Sequence, residues 1–261
     1  MRKKLLLGNW KCNKNHNETV AYVDHLNQHW NQQNVNCVLG FAPTFLHLKT
    51  AQNHLVHKDI IVAAQDAYFQ PSGAFTSSVS AAQLKADGIN ATLIGHSERR
   101  SLFGDNLEII AAKVQAAAGI GLKVIFCFGE TLAEYESNQT YAVLFEQITS
   151  ALKNLSPEQH QQIIFAYEPV WAIGTGKTPT PNEVNQIIQH IRHQIIAPMW
   201  TEASANQSLI LYGGSVNLDN VDKLLGFADV DGALVGGASL NAADFLKMAE
   251  KVPAASITKS H

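Results

Sequence analysis

The sequence predicts an α/β protein whose eight parallel strands close into a single-domain (β/α)8 barrel. Three observations carry this expectation. Short apolar, β-rich runs alternate eight times with longer segments of helical period. The runs are continuously apolar, as in Val124-Ile125-Phe126-Cys127-Phe128 and Ile163-Ile164-Phe165-Ala166-Tyr167, which suits parallel strands covered on both faces. Eight such units in roughly 250 residues favour a closed barrel over an open doubly wound sheet.

Taken in order, the strands begin near Lys4, Val35, Ile60, Ile89, Leu122, Gln162, Ser208 and Val230. Before the fourth, Ser80 and Gln83 have capping-box spacing and Gly88 marks the end of that helix. After it, Leu107, Ile110, Ala111, Val114 and Ala118 recur with helical period and line one face. After the sixth, Thr180-Pro181-Asn182-Glu183 supplies an N-cap, a first-turn proline and a capping-box glutamate. Val184, Ile187, Ile188, Ile191 and Ile195 then form the apolar stripe of that helix. No linker interrupts the pattern. Residues 1–251 therefore read as one domain, and 252–261, which lack periodicity, as a loose C-terminal tail.

Composition narrows the function. Of 261 residues, 46% are hydrophobic and 16% charged, which argues against disorder. A formal net charge of -3 gives no footprint for nucleic acid or an acidic membrane, so an anionic substrate must be drawn by local groups. Cys12, Cys37 and Cys127 form no CxxC pair, as expected of reduced thiols in the cytoplasm. The apolar run after Met1-Arg2-Lys3-Lys4 stops at Gly8, too soon for a secretory signal, and no stretch is long enough to span a bilayer.

In such a barrel the chemistry sits where strands end. Glu168 follows the sixth strand and precedes Pro169. A carboxylate losing water there suits a general base, and an ion-paired glutamate is the equal alternative. His96 precedes the helical Ser97-Glu98-Arg99-Arg100. The positive end of a helix dipole disfavours imidazolium and leaves a neutral N–H donor, although a structural histidine is the commoner use. Lys11 ends the first strand and offers a fixed charge to an anion, where most lysines are merely solvated; Asn9 shares its strand face. Gly213-Gly214-Ser215 and Gly236-Gly237 end the last two strands, where barrels bind phosphate through backbone N–H groups, the alternative being two tight turns.

Other signals fail. Gly176-Lys177-Thr178 ends like a P-loop, but the required earlier glycine is Trp171, so the stretch from Val170 to Gly176 reads as a lid with glycine pivots. Gly119 and Gly121 lack the third glycine of a dinucleotide fingerprint, which Val124 replaces. His25 and His29 have zinc-pair spacing but sit in a polar helix, and Asp229-Val230-Asp231-Gly232 lacks the rest of a calcium loop.

Gly8-Asn9-Trp10-Lys11, Gly95-His96-Ser97-Glu98-Arg99-Arg100, Tyr167-Glu168-Pro169-Val170-Trp171-Ala172-Ile173-Gly174-Thr175-Gly176, Tyr212-Gly213-Gly214-Ser215-Val216 and Leu234-Val235-Gly236-Gly237-Ala238-Ser239-Leu240 together closely resemble the triosephosphate isomerase family, in its order and spacing. The resemblance implies a TIM barrel and a cofactor-free, metal-free isomerase of a small phosphorylated triose. In it Glu168 is the base, His96 the neutral electrophile, and Lys11 and Asn9 the anchors of the substrate. Gly174, Ser215, Gly236 and Gly237 would hold the phosphate. Glu98 would pair near Lys11, Cys127 would pack behind the site, and the protein would be a homodimer with Cys12 in the interface. Two departures stand out. Ser77-Ser78 replaces the family's usual Gly-Glu, and Lys14 replaces a common glycine. The alternatives are another sugar-phosphate isomerase on the same scaffold, or a phosphate-binding barrel without catalysis.

Overall fold

The computed structural model describes residues 2–173 and 179–254. Strands β1 (Lys4–Asn9), β2 (Cys37–Ala42), β3 (Ile61–Ala64), β4 (Ala91–Ile94), β5 (Lys123–Phe128), β6 (Ile163–Tyr167), β7 (Leu209–Tyr212) and β8 (Gly232–Val235) follow one another in space as they do in sequence. All pairs are parallel, and β8 returns to β1 in register from Leu5↔Gly232 to Gly8↔Val235, which closes the barrel. Gly232 permits that seam: its φ is +151°, and a Cβ there would run into the Leu5 carbonyl. The tail expected over 252–261 lies, from residue 255 onward, outside the described residues.

The period-2 geometry of the strands sorts their side chains into two cores. Leu5, Leu7, Ala63, Leu93, Ile125, Ile164, Ala166, Leu211 and Leu234 fill the barrel interior. The alternate residues, such as Leu6, Leu39, Phe126, Phe165 and Ile210, face outward and pack under the helices. Each fully buried Leu, Ile or Phe contributes about 1.5–3 kcal/mol relative to exposure, so both layers are needed to hold the chain closed.

Each strand begins within two residues of its expected start, and four of the seven late starts share one cause. Ile60, Ile89, Leu122 and Val230 enter the ladder late because they are buried in the sheet–helix layer, where their apolar character is used before pairing begins. The Ser80/Gln83 and Thr180/Glu183 capping boxes both form. On the helix Leu107–Gly119, Leu107 and Ala111 are only half-buried, while Ala117 and Lys113 are buried. The stripe is rotated toward Lys113, whose ammonium lies 2.6 Å from Asp105 and 2.8 Å from Asp66.

The stripe from Val184 to Ile195 is wholly buried, and the helix widens to π geometry over Ile191–Ile196. That widening carries Arg192, which is fully buried. Its guanidinium meets Asp229 and Asp231 and donates to the Ala205 and Ser208 carbonyls (2.6 and 2.9 Å), tying this helix to the base of β7 and β8.

Candidate active site

The inward-facing parity of three strands runs directly into polar residues at the C-terminal mouth: Leu5 and Leu7 lead to Asn9, Ile61 and Ala63 to Gln65, Ile164 and Ala166 to Glu168. Asn9 is buried, and its Oδ1 accepts the Lys11 N–H at 3.0 Å. Lys11 has φ +52°, a left-handed conformation that costs a lysine about 1–2 kcal/mol. The Asn9 bond and Gln65, whose Nε2 donates to the Lys11 carbonyl at 2.8 Å, hold that turn. The Lys11 ammonium then reaches Glu98 Oε1 at 2.7 Å, in the pairing implied by the family resemblance.

Gly95, at φ +81°, turns the chain off β4 so that His96 caps the helix Ser97–Phe103. His96 Nδ1 accepts the Glu98 N–H at 3.2 Å, so that nitrogen carries no proton and the ring's N–H is on Nε2. Nε2 lies 3.2 Å from Glu168 Oε1. The other Glu168 oxygen accepts the Ser97 N–H at 3.2 Å. Glu168 is 2% exposed, which removes the carboxylate from competing water. Gly213 lies against it: a Cβ there would stand 2.6 Å from Glu168 Cγ.

Behind the pair, Arg100 donates to the Gly95 carbonyl at 2.7 Å and the Cys127 carbonyl at 2.6 Å. Cys127 is fully buried. Burial, reinforced by the Glu168 charge, pushes its thiol well up, so it serves as a neutral packing group.

Asn9, Lys11, His96 and Glu168 share a cavity of about 310 Å³ with Ser215, Gly236 and Gly237, under an apolar edge of Ile173 and Leu234. A Cβ on Gly237 would meet no heavy atom within 4 Å, so the bare backbone there faces open space. Gly174 lies outside the described residues. After β6, Trp171 Nε1 and the Tyr167 hydroxyl both donate to Glu130 Oε1, at 2.9 and 3.1 Å, and Tyr135 stacks on Trp171 at 4.3 Å. Burial pushes the Glu130 carboxyl up.

Gln65, Arg100 and Glu130 were not singled out by the sequence reading. Strand parity from Ile61 through Ala63 would have found Gln65. Glu130 carries no local signal, because its partners lie 37 and 41 residues further along. The His25 and His29 rings lie 4.3 Å apart, tilted by 42°, on the helix His16–His29, and among the described residues no group of three or more His, Cys, Asp or Glu is placed to hold a metal. Among those residues no helix is long and apolar enough to cross a membrane.

A sequence model of the family described as triosephosphate isomerase matches residues 4–252. The triosephosphate isomerase of Chloroherpeton thalassium is 42% identical over 248 residues, which are 95% of this chain and 98% of that protein. That of Pelobacter propionicus is 44% identical over 249 residues, again 95% and 98%. That of Mycoplasmoides gallisepticum is 44% identical over 248 residues, with the same coverage.

Proposed function

The chain belongs to the triosephosphate isomerase family, and from that premise we propose how its own residues carry the reaction. The enzyme interconverts dihydroxyacetone phosphate and D-glyceraldehyde 3-phosphate, as an intramolecular aldose–ketose isomerase. Glu168 takes a proton from C1 of the ketose, the C1–H electron pair becomes the C1=C2 bond, and the carbonyl oxygen gains the charge. His96, neutral and bearing its proton on Nε2, donates to that oxygen, and Lys11 and Asn9 stabilise it. The C2 oxygen then takes the Nε2 proton of His96, the C1 hydroxyl gives its proton back to the ring as the carbonyl forms at C1, and Glu168 returns its proton to C2 to give the aldose. Ser215, Gly236, Gly237 and Gly174 bind the phosphate, and the lid shuts water out from an intermediate that would otherwise eliminate phosphate.

The observation that carries this reading is the 3.2 Å approach of His96 Nε2 to Glu168 Oε1 at the wall of a cavity that also holds the Lys11 ammonium. A phosphate-binding barrel without catalysis would have no use for a buried carboxylate beside a donor. No metal or organic cofactor enters the proposed steps. We read residues 1–251 as the one domain and the enzyme as a cytoplasmic homodimer. Support for the dimer comes from Leu46 (82% exposed), Phe75 (39%) and Leu102 (72%), large apolar side chains on the connections after β2, β3 and β4, at the same end of the barrel as Lys11. The direct test is a coupled assay started from each triose phosphate in turn. Turnover in both directions is expected; a purified protein that binds a phosphate analogue without interconverting the two would overturn the reading.

A further inference from the structure

Two cavities larger than the one around Glu168 lie at the other end of the barrel, below the strands' first residues. One, about 970 Å³, is walled by Leu5, Val38, Ile61, Ile164 and Leu209. The second, about 740 Å³, adjoins it and shares Leu5, Ile61, Lys123 and Ile164. The cause is visible in the strand residues. The inward positions at this level are small or sparsely covered: Val38, Ile61 and Leu209 are only half-buried, and Ala91 and Gly232 add little volume. The interior is therefore not sealed at its base, and an apolar cup is left open.

The rim of that cup is predominantly cationic. Lys123 has the inward parity of Ile125 and Cys127, so it stands between the two cavities, and Lys3, Lys49 and Lys58 line them from outside. No carboxylate lies within ion-pairing distance of these four among the described residues. Lys49, Lys58 and Lys123 donate instead to the carbonyls of Asp87, Leu55 and Gln161, at 2.9, 2.7 and 2.7 Å. Arg2 also reaches the rim but is neutralised by Asp231. Glu158 is the one carboxylate in the described lining of either cavity, and it accepts the Ser156 hydroxyl at 2.6 Å. In a chain of net charge -3, a cationic ring around an apolar floor is a local concentration of charge rather than an overall bias.

We propose that this N-terminal mouth is a second binding site, for a small organic anion with an apolar body: an aromatic or short-chain acyl group carrying a sulfonate, carboxylate or phosphate. The apolar body fits Leu5, Ile61, Ile164 and Leu209, and the anionic head meets Lys123 with Lys58 or Lys3. The cavities have the size of small-molecule sites, about 300–1,000 Å³, and the pairing of a hydrophobic floor with a few convergent charges is what such sites use for orientation. The site lies at the opposite end of the barrel from Glu168, so its occupant does not compete with triose phosphate.

The probe that tests this is 1-anilinonaphthalene-8-sulfonate, an apolar ring system with one sulfonate, titrated by fluorescence into the full-length protein. Saturable binding of one probe per chain is expected. It should persist with 2-phosphoglycolate saturating the active site, and weaken at least about tenfold in K58E/K123E, a variant with unchanged isomerase kcat/KM and thermal melting. A cationic apolar probe, dodecyltrimethylammonium, should bind the double variant better than the parent. Displacement by 2-phosphoglycolate would place the probe in the active site and overturn the proposal. So would equal binding to parent and K58E/K123E. Should that variant melt early, K58Q/K123Q, which removes charge without reversing it, takes its place under the same criteria.

Discussion

His96 Nε2 stands 3.2 Å from Glu168 Oε1, and a backbone amide holds each partner from its far side: the Glu98 N–H on His96 Nδ1 and the Ser97 N–H on Glu168 Oε2. Both amides come from the first turn of one helix, Ser97–Phe103. A single element therefore orients both the His96 ring and the Glu168 carboxylate. The cost of ordering two side chains falls on folding rather than on each turnover.

Glu168→Gln keeps the shape of that contact and removes proton-accepting capacity. We expect kcat to fall by roughly a thousandfold or more, about 4 kcal/mol of barrier, with binding of 2-phosphoglycolate changed little, because the lost interaction belongs to the transition state. Steady-state kinetics paired with calorimetric titration of 2-phosphoglycolate would check both halves. Near-normal turnover would exclude Glu168 as the base.

Glu130 gives a pH signature. Burial raises its carboxyl above the ordinary glutamate value of 4.5 in the folded chain, the hydrogen bonds from Trp171 and Tyr167 opposing the shift. The folded state thus favours the protonated form more than the unfolded state does. The stability from this group is fully present below pH 4.5 and is lost as pH rises through the raised folded value. Glu130→Gln keeps an oxygen for both donors but cannot ionise. The melting temperature of the parent minus that of Glu130→Gln should therefore fall as pH rises above about 4.5 and through the raised folded value. A flat or rising difference would show that ionised Glu130 is not penalised by its burial.

Lys14 and Ser77, where the resemblance implies a common glycine, both have positive φ, +70° and +74°. The glycine conformation is kept while a Cβ is carried, at about 1–2 kcal/mol each. Ser77→Gly should raise stability to urea by about 0.5–1 kcal/mol after glycine's greater unfolded-state entropy is subtracted. Lys14 is different: its ammonium lies 5.2 Å from the Trp10 ring and 5.0 Å from the Tyr22 ring, worth about 0.5–1 kcal/mol. Lys14→Gly should come out near neutral and Lys14→Ala, which keeps the strain and loses the cation, the least stable of the three. Denaturation midpoints that rank alanine first would remove the cation–π term from the account.

What was legible in the chain follows from where its signals lie. Glu168, His96 and Lys11 each sit at the end of an apolar run, so the barrel rule pointed to them before any contact was known. The strands were legible because burial on both faces leaves unbroken apolar runs. Arg192 was not: it interrupts a stripe of isoleucines as though solvated, and its partners Asp229 and Asp231 read as a fragment of a loop. Lys113 was missed for the same reason, since a buried cation is recognisable only once its carboxylates, Asp66 and Asp105, are in place. The open base of the barrel was hidden too. It arises from the volumes of Val38, Ile61, Ala91 and Gly232 acting together across four strands.

Association is the last expectation, and it rests on the same end of the barrel as Lys11. In the single chain Cys12 is exposed, next to Lys11, while Leu46 and Leu102 stand largely in solvent on neighbouring connections. If these surfaces close on a second copy, Cys12 is covered and the Lys11 turn, held at present by Asn9 and Gln65, gains a further wall. Ser77 and Ser78 supply no charge where the family commonly places a glutamate, so apolar packing has to carry more of the contact. Leu46→Glu then buries an unpaired carboxylate, which should raise the dimer dissociation constant at least about tenfold and lower activity in parallel on dilution. Light scattering and turnover measured on the same dilution series would show it. A thiol reagent should modify Cys12 faster in Leu46→Glu than in the parent, because the thiol is covered only while the dimer persists. A parent protein that stays monomeric and fully active at every concentration, or a Cys12 that reacts equally fast in both, would disconnect the Lys11 turn from any partner.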